Sequence, residues 1–372
     1  MSKARVSGTW DEPVVFNYSA GPAMLPAPVM QRVQAELLDY AGSGLSIMET
    51  GHRTSGFGEI VERAERDLRV LYDVPEDYAV LFLQGGASLQ FLMVAMNLAR
   101  PGVPTAYVDT GYWSAKAIAA AREVRPVKVV ASGAALHYRG VPQRSQWADF
   151  STAAYLHYTP NETIHGIEFD YIPETDDVAL VADMSSCILS RPLPIRRFGL
   201  IYAGAQKNLG PTGLALVIVR RDLAERAAAE TPALLRYRDQ IGAGSMLNTP
   251  PTFTWYVIGL VLAWVREQGG LEAMARRAAA RSRIVYEAID ASGGFYRNAI
   301  DPAVRSRMNI PFQLHEERLE AKFLREAETA GLKQLAGHRA VGGVRASLYN
   351  AMPLAGAEAL AGFMREFARH NG

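Results

Sequence analysis

The stretch AVLFLQGGASLQFLMVAMNLA, residues 79–99, reads as three units in a row. AVLFLQ (79–84) has almost no polar alternation, which predicts a strand buried on both faces. Gly85 and Gly86 form a turn, and SLQFLMVAMNLA (88–99) predicts a helix. The pattern continues outward. TAYVDT (105–110) predicts a strand and residues 114–122 a helix. PVKVVA (126–131), AAYLHY (153–158), VALVAD (178–183), FGLIYA (198–203) and LALVIV (214–219) predict further strands. Strands alternating with helices point to the α/β class with a mostly parallel sheet.

Near residue 252 the pattern changes. TFTWYVIGLVLAWVREQ and LEAMARRAAARSRIVYEAIDAS predict two long helices separated by Gly269 and Gly270. Strand MNIPFQL, helix ERLEAKFLREAETA, strand VRASLYN and helix LAGAEALAGFMREFARH follow. They predict a smaller C-terminal α+β domain, with the boundary near 260.

A chain of 372 residues can hold one large core and a second domain. Its 39 Lys and Arg nearly cancel 38 Asp and Glu, so no global charge attracts nucleic acid or an anionic membrane. Any affinity for anions must be local. Cys187 is the single cysteine, which excludes an intrachain disulfide and suits a reducing, cytoplasmic setting. MSKARVSGTWDEP at the start lacks the apolar core of a signal peptide. The most apolar run, WYVIGLVLAWV (255–265), is shorter than the roughly 20 residues that span a bilayer, and predicts a buried helix.

Three features could carry chemistry. The glycine turn before Ser88 suits phosphate, because free N–H groups at a helix start bind anions and glycine admits close approach. The same pattern also serves as a plain connection. Asp183 ends an apolar strand at the edge where open α/β sheets bind ligands. It can also act as an N-cap, with Ser185 and Ser186 in the turn. Lys207, in IYAGAQKNLGPTG (201–213), lies between two apolar strands with small or uncharged neighbours rather than the Asp, Ser and Glu of a surface turn. An amine, an acid and a phosphate cup together suggest pyridoxal phosphate. Trp113 offers a flat face for its ring, although a tryptophan taken alone is more often a core side chain. His157, within a strand, reads as structural, Cys187 as a small buried residue, and His165, in ETIHGIEF, more readily as an ordinary loop residue than as a contact of the substrate.

The motifs METGHRTSGF, GYW, HYTPNETIHGIEF, AGAQKNLGP, LNTPPTF and GHRAVGGVRASLYNAM occur in this order between FNYSAGPAMLP at residue 16 and SLYNAMP near 353. On these motifs the chain resembles the phosphoserine aminotransferase family, class V aminotransferases among the fold-type I pyridoxal-phosphate enzymes. The resemblance implies a large domain with a mostly parallel seven-stranded sheet over residues 16–260. It implies a small domain over 261–372 and an extended arm over 1–15. Lys207 then forms the imine with pyridoxal 5'-phosphate, and Gln206 touches the cofactor's phosphate. Asp183 pairs with the pyridine nitrogen, Trp113 stacks on the ring, and Thr163 bonds near its hydroxyl. Ala87 and Ser88 give backbone contacts to the phosphate. Asn248 and Thr249 reach that phosphate from the other subunit of a homodimer. Some members read GGGRGQF where this chain reads GGASLQF, so Ser88 stands where they have arginine.

The implied reaction moves an amino group reversibly between glutamate and 3-phosphohydroxypyruvate, giving 2-oxoglutarate and O-phosphoserine in serine biosynthesis. The resemblance extends to 4-phosphohydroxythreonine in pyridoxine biosynthesis. Arg345 is assigned to the α-carboxylate. His338, Arg339, His52 and Arg53 are assigned to the substrate's phosphate, the last two from the partner subunit, and Ser19 and Trp113 line the substrate. No metal, nucleic acid or membrane is implied. The nearest rival is a serine–glyoxylate or alanine type of the same class, against which the cations of GHR and TGHR argue. A cysteine desulfurase would need a thiol on a mobile loop, whereas Cys187 follows a sheet strand.

Overall fold

The computed structural model describes residues 15–372. The expected arm over 1–15 therefore lies outside the described residues, apart from Val15. A seven-stranded sheet forms the centre, in the spatial order Tyr78–Gln84, Leu214–Arg220, Leu200–Gly204, Ala179–Asp183, Tyr155–Tyr158, Thr105–Asp109, Val127–Ser132. Leu214–Arg220 runs antiparallel to both neighbours, and the remaining adjacent pairs are parallel. All seven predicted strands are present, and the sheet has the expected mixed, mostly parallel character.

Both faces are covered, which is why the strands lack polar alternation. On one face Leu81, Leu83, Tyr107, Val181 and Val217 meet the helices Gly86–Leu98 and Tyr112–Arg122. On the other, Val80, Phe82, Leu180, Ile201 and Leu216 share a core with the helices Ser55–Tyr72 and Thr252–Glu267. The run 255–265 is thus a helix buried inside the fold. Ser55–Tyr72 is not among the expected elements. Thr54 caps it by accepting from Phe57 N at 3.4 Å, and Phe57, Ile60, Ala64 and Leu68 give it one apolar face.

A second core surrounds the three-stranded antiparallel sheet of Tyr296–Arg297, Asn309–Leu314 and Val344–Ser347. The helices Gly270–Asp290, Glu320–Thr329 and Leu354–Asn371 pack around it. Residues 16–18, read from sequence as the start of the large domain, belong to this smaller core. Phe16–Asn17 pairs in parallel with Leu332–Lys333, and Tyr18 OH donates to Gly356 O at 2.7 Å. The correction has a physical cause: the strand's partner lies more than 300 positions away, beyond the reach of local periodicity.

Buried amides join the two units. Asn161 Nδ2 donates to Ser186 Oγ at 2.7 Å and to Asn309 Oδ1 at 2.9 Å, while Ser306 Oγ donates to Asn161 Oδ1 at 2.5 Å. Beside Lys207, Asn208 Oδ1 accepts from Asn350 N at 2.9 Å. Buried polar groups are costly unless paired, so the bonds to Asn309, Ser306 and Asn350 fix the relative placement of the units, while the bond to Ser186 holds Asn161 within the larger one.

His157 is the core residue expected from its strand. Its ring stacks on Tyr107 at 4.8 Å between centroids, and Nε2 shares a 2.8 Å hydrogen bond with Tyr202 OH. Burial pushes its pKa down to about 3 from 6.5. Between these values the unfolded chain takes up a proton that the folded chain refuses, so stability falls on acidification through this window. We expect His157→Gln to shrink the difference between urea midpoints measured at pH 7 and pH 5. An unchanged difference would assign the acid sensitivity to other groups.

Candidate active site

Six of the seven strands point the same way, and the turns at their carboxyl ends share one edge. Those turns enclose a cavity of about 340 Å³, lined by Gly85, Gly86, Ala87, Ser88, Trp113, Thr163, Asp183, Gln206 and Lys207 among others. Nine sequence-derived positions from five separate segments thus meet in one place.

Lys207 is 7% exposed. Its Nζ donates to Thr163 Oγ1 at 2.8 Å and lies 5.6 Å from the centroid of the Trp113 ring. Burial lowers its pKa to about 8, while Asp183 and Glu162 oppose the shift and Arg345 adds to it. The amine is therefore no surface-turn lysine. Asp183 is also buried, and burial raises its pKa against the pull of Lys207 and Ser185. Both hydrogen bonds to this carboxylate fall on Oδ1, from Ser185 N at 3.0 Å and Ser185 Oγ at 2.6 Å. The turn-forming bonds of the plain reading are thus present, yet the side chain also lines the cavity. Ser185 Oγ further accepts from Gly204 N at 3.0 Å, tying the Asp183 turn to the strand that leads to Lys207.

The glycine turn forms a cradle. Gly85 and Gly86 have φ of 93° and 63°, a region that favours glycine. A Cβ on Gly85 would lie 2.4 Å from Leu89 Cδ2. The helix begins at Gly86, two residues before its expected start, so the backbone of Ala87 and Ser88 belongs to its first turn. The N–H groups of that turn have no partner within the helix.

The smaller unit delivers Arg345 from the strand Val344–Ser347, opposite Pro311. Its Nε is buried without a hydrogen-bond partner among the described residues. His338 packs against the Tyr112 ring at 4.9 Å between centroids, and its pKa is lowered by burial, then by Arg345 and Arg339. Arg339 is exposed on the same loop. The loop carrying Ser19 lies against the site: Ala23 N donates to Gln206 O at 2.9 Å, and a Cβ on Gly21 would lie 3.6 Å from Lys207 Cγ.

Eight expected residues do not line this cavity: Ser19, His338, Arg339 and Arg345, carried by the elements just described, and four more. Arg53, Asn248 and Thr249 are exposed and His52 is half-buried. Thr249 is nonetheless near the cradle, since its carbonyl accepts from Gln84 Nε2 at 2.6 Å. His165 does not line the cavity either: its Nδ1 accepts from Tyr112 N at 3.4 Å. Cys187 lies in a different cavity, and burial pushes its thiol up to about 12, far from a reactive state.

Sequence reasoning missed Thr159, Asn161, Ser186 and Thr212, all of which line the cavity. It also missed Glu162, whose carboxyl is raised to about 7 by burial and accepts from Ser114 N and Trp113 N at 2.8 and 3.1 Å. Asn161 and Glu162 directly precede Thr163 in PNET, but polar residues in a short loop also suit an ordinary turn. Among the described residues no group of three or more His, Cys, Asp or Glu could hold a metal ion.

The chain matches the family model for aminotransferase class V over residues 15–360. It is 54% identical over 357 residues to the phosphoserine aminotransferase of Pseudomonas aeruginosa, covering 96% of this chain and 99% of that protein. The structure of phosphoserine aminotransferase from Bacillus circulans subsp. alkalophilus superposes with a TM-score of 0.94 at 46% identity, over 96% of this chain and 99% of that one. The pyridoxal-phosphate-bound phosphoserine aminotransferase from Trichomonas vaginalis gives a TM-score of 0.90 at 38% identity, over 95% of this chain and 100% of that one. With likeness along nearly its whole length, the chain belongs to the phosphoserine aminotransferase family of class V aminotransferases.

Proposed function

We propose that this chain moves an amino group reversibly between glutamate and 3-phosphohydroxypyruvate, giving 2-oxoglutarate and O-phosphoserine, with pyridoxal 5'-phosphate as cofactor. The observation that carries the reading is Lys207 and Asp183 buried in one cavity that also contains a glycine-lined helix start. Their fit to the cofactor rests on further features. Trp113 Nε1 and Thr159 Oγ1 are buried there without hydrogen-bond partners among the described residues, as expected where a polar ligand completes the site.

Bound in this cavity, pyridoxal phosphate supplies an aldehyde for amines and an aromatic ring that withdraws electrons from the substrate. The residues do the rest. The backbone of Gly86, Ala87 and Ser88, with Gln206, holds the phosphate, and Trp113 supports the ring. Asp183 keeps a negative charge in a dry setting, which favours a proton on a ring nitrogen placed beside it. Thr163 orients the Lys207 amine. With a pKa near 8, Lys207 can lose and regain a proton at Nζ close to neutral pH, as a general base and acid must. Arg345 offers a planar fork to the α-carboxylate. His338 and Arg339 attract the substrate's phosphate. 4-Phosphohydroxythreonine carries the same two anionic groups and is proposed as a second substrate.

The working form is proposed to be a homodimer in which Asn248, Thr249, His52 and Arg53 complete the partner's site. The exposure of Arg53, Asn248 and Thr249 supports this, as do the exposed apolar side chains Leu45, Met48 and Leu247 close to them in sequence. The turn Ile47–Glu49 packs on the helix Thr252–Glu267, so the two segments are neighbours in space. We read 16–260 as the cofactor-binding domain and 261–372 as the small domain, with residues 16–18 crossing between them, in a cytoplasmic enzyme.

Lys207→Ala is expected to retain folding and lower turnover roughly a thousandfold or more, measured by coupled assay. Near-normal turnover would refute the role of its amine. For Asp183→Asn, turnover is expected to fall by more than cofactor affinity does; equal losses would leave only the turn-forming role. Arg345→Ala is expected to raise KM for glutamate and phosphoserine alike, by about 10- to 100-fold. If serine or alanine serves the parent enzyme as well as phosphoserine, the rival class V reading is preferred.

A further inference from the structure

The loop Pro160–Glu168 does more than present Thr163 to Lys207. It also serves the start of the helix Tyr112–Arg122, which carries Trp113. Five consecutive N–H groups there are satisfied by side chains. Ser114 Oγ accepts from Thr110 N and Gly111 N, each at 2.9 Å. His165 Nδ1 accepts from Tyr112 N at 3.4 Å. Glu162 Oε2 accepts from Trp113 N at 3.1 Å and Oε1 from Ser114 N at 2.8 Å. Glu162 is fully buried, 48 positions away along the chain from Ser114. The backbone is shaped to admit it: a Cβ on Gly111 would lie 2.9 Å from Glu162 Cδ and 2.6 Å from His165 Nδ1. A carboxylate bonded to two amides at a helix start is charge-assisted and favoured by the helix dipole. Its neighbour in sequence, Thr163, holds Lys207 Nζ at 2.8 Å.

We propose that Glu162 is a positioning residue that acts through Trp113: its carboxylate clamps the helix start so that the indole lies at a fixed height beside Lys207. The proposal rests on the reading of this cavity as the pyridoxal phosphate site. Glu162 and Thr163 then set, from one short strand and its turn, both the face that supports the cofactor ring and the amine that reacts with it.

The test is a double-mutant cycle on the pyridoxal phosphate dissociation constant, read by absorbance titration of cofactor-free protein. Glu162→Gln keeps one acceptor and presents an amide N–H₂ to the second backbone donor. It is expected to raise the dissociation constant about fivefold to tenfold in the parent and less than about twofold in a Trp113→Ala background. Equal factors in both backgrounds would overturn the proposal while leaving the cofactor site intact. Failure of the parent to take up the cofactor would overturn it together with the reading it rests on. A second measurement needs no variant. First-turn amides usually lack a partner within their helix. In the unaltered protein, hydrogen exchange at Trp113 and Ser114 is expected to be as slow as in the helix interior. Exchange at the rate of free amides would overturn the proposal.

Discussion

A primary amine buried at the end of a parallel sheet is stable in its charged form only where opposite charge lies nearby. Lys207 sits in such a place, and much of the site can be understood as an answer to that constraint. Burial drives its proton off, Asp183 and Glu162 draw it back, and the amine is left near the point where it can exchange a proton at neutral pH. Asp183 and Glu162 are themselves buried and raised, so neither carboxylate is comfortable without its hydrogen bonds. The three groups share one balance, in which altering any one shifts the others.

The fold makes that balance possible by gathering short turns at one edge. Ser185 ties the Asp183 turn to the strand before Lys207, Asn161 ties the adjoining loop to the second sheet, and Asn208 ties the lysine's own turn to Asn350. Charged groups can remain buried here because the backbone around them is held by bonds that are buried too. The smaller unit contributes cations rather than scaffold. Arg345 arrives on a strand, while His338 and Arg339 arrive on the loop before it. On the proposed reading, Lys207 belongs to the larger unit and the α-carboxylate's partner, Arg345, to the smaller one.

The legible parts of the sequence were those with a local cause. Strands covered on both faces are apolar along their length, so all seven could be read, and Asp183 and Lys207 stood out as charges at their ends. The order of motifs supplied the roles. The less legible parts depend on distant partners. The helix Ser55–Tyr72 has a regular apolar face, yet it is interrupted by many charges and begins with two glycines in its first four residues. Glu162 resembles any polar turn residue until Trp113 and Ser114 are brought to it from 48 and more positions away. His52, Arg53, Asn248 and Thr249 were named from the motifs alone, and the geometry of one chain leaves them outside its own cavity.

The pairing of Phe16–Asn17 with Leu332–Lys333 has a temporal side. A ribosome releases residues 16–18 long before their partners exist, and Tyr18 waits for Gly356 to emerge before its hydroxyl is satisfied. The central sheet, complete once Arg220 has appeared, can form while residues 16–18 are still unattached. Residues 16–18 are therefore late to find their place, and closure of the smaller core waits until Gly356 has emerged.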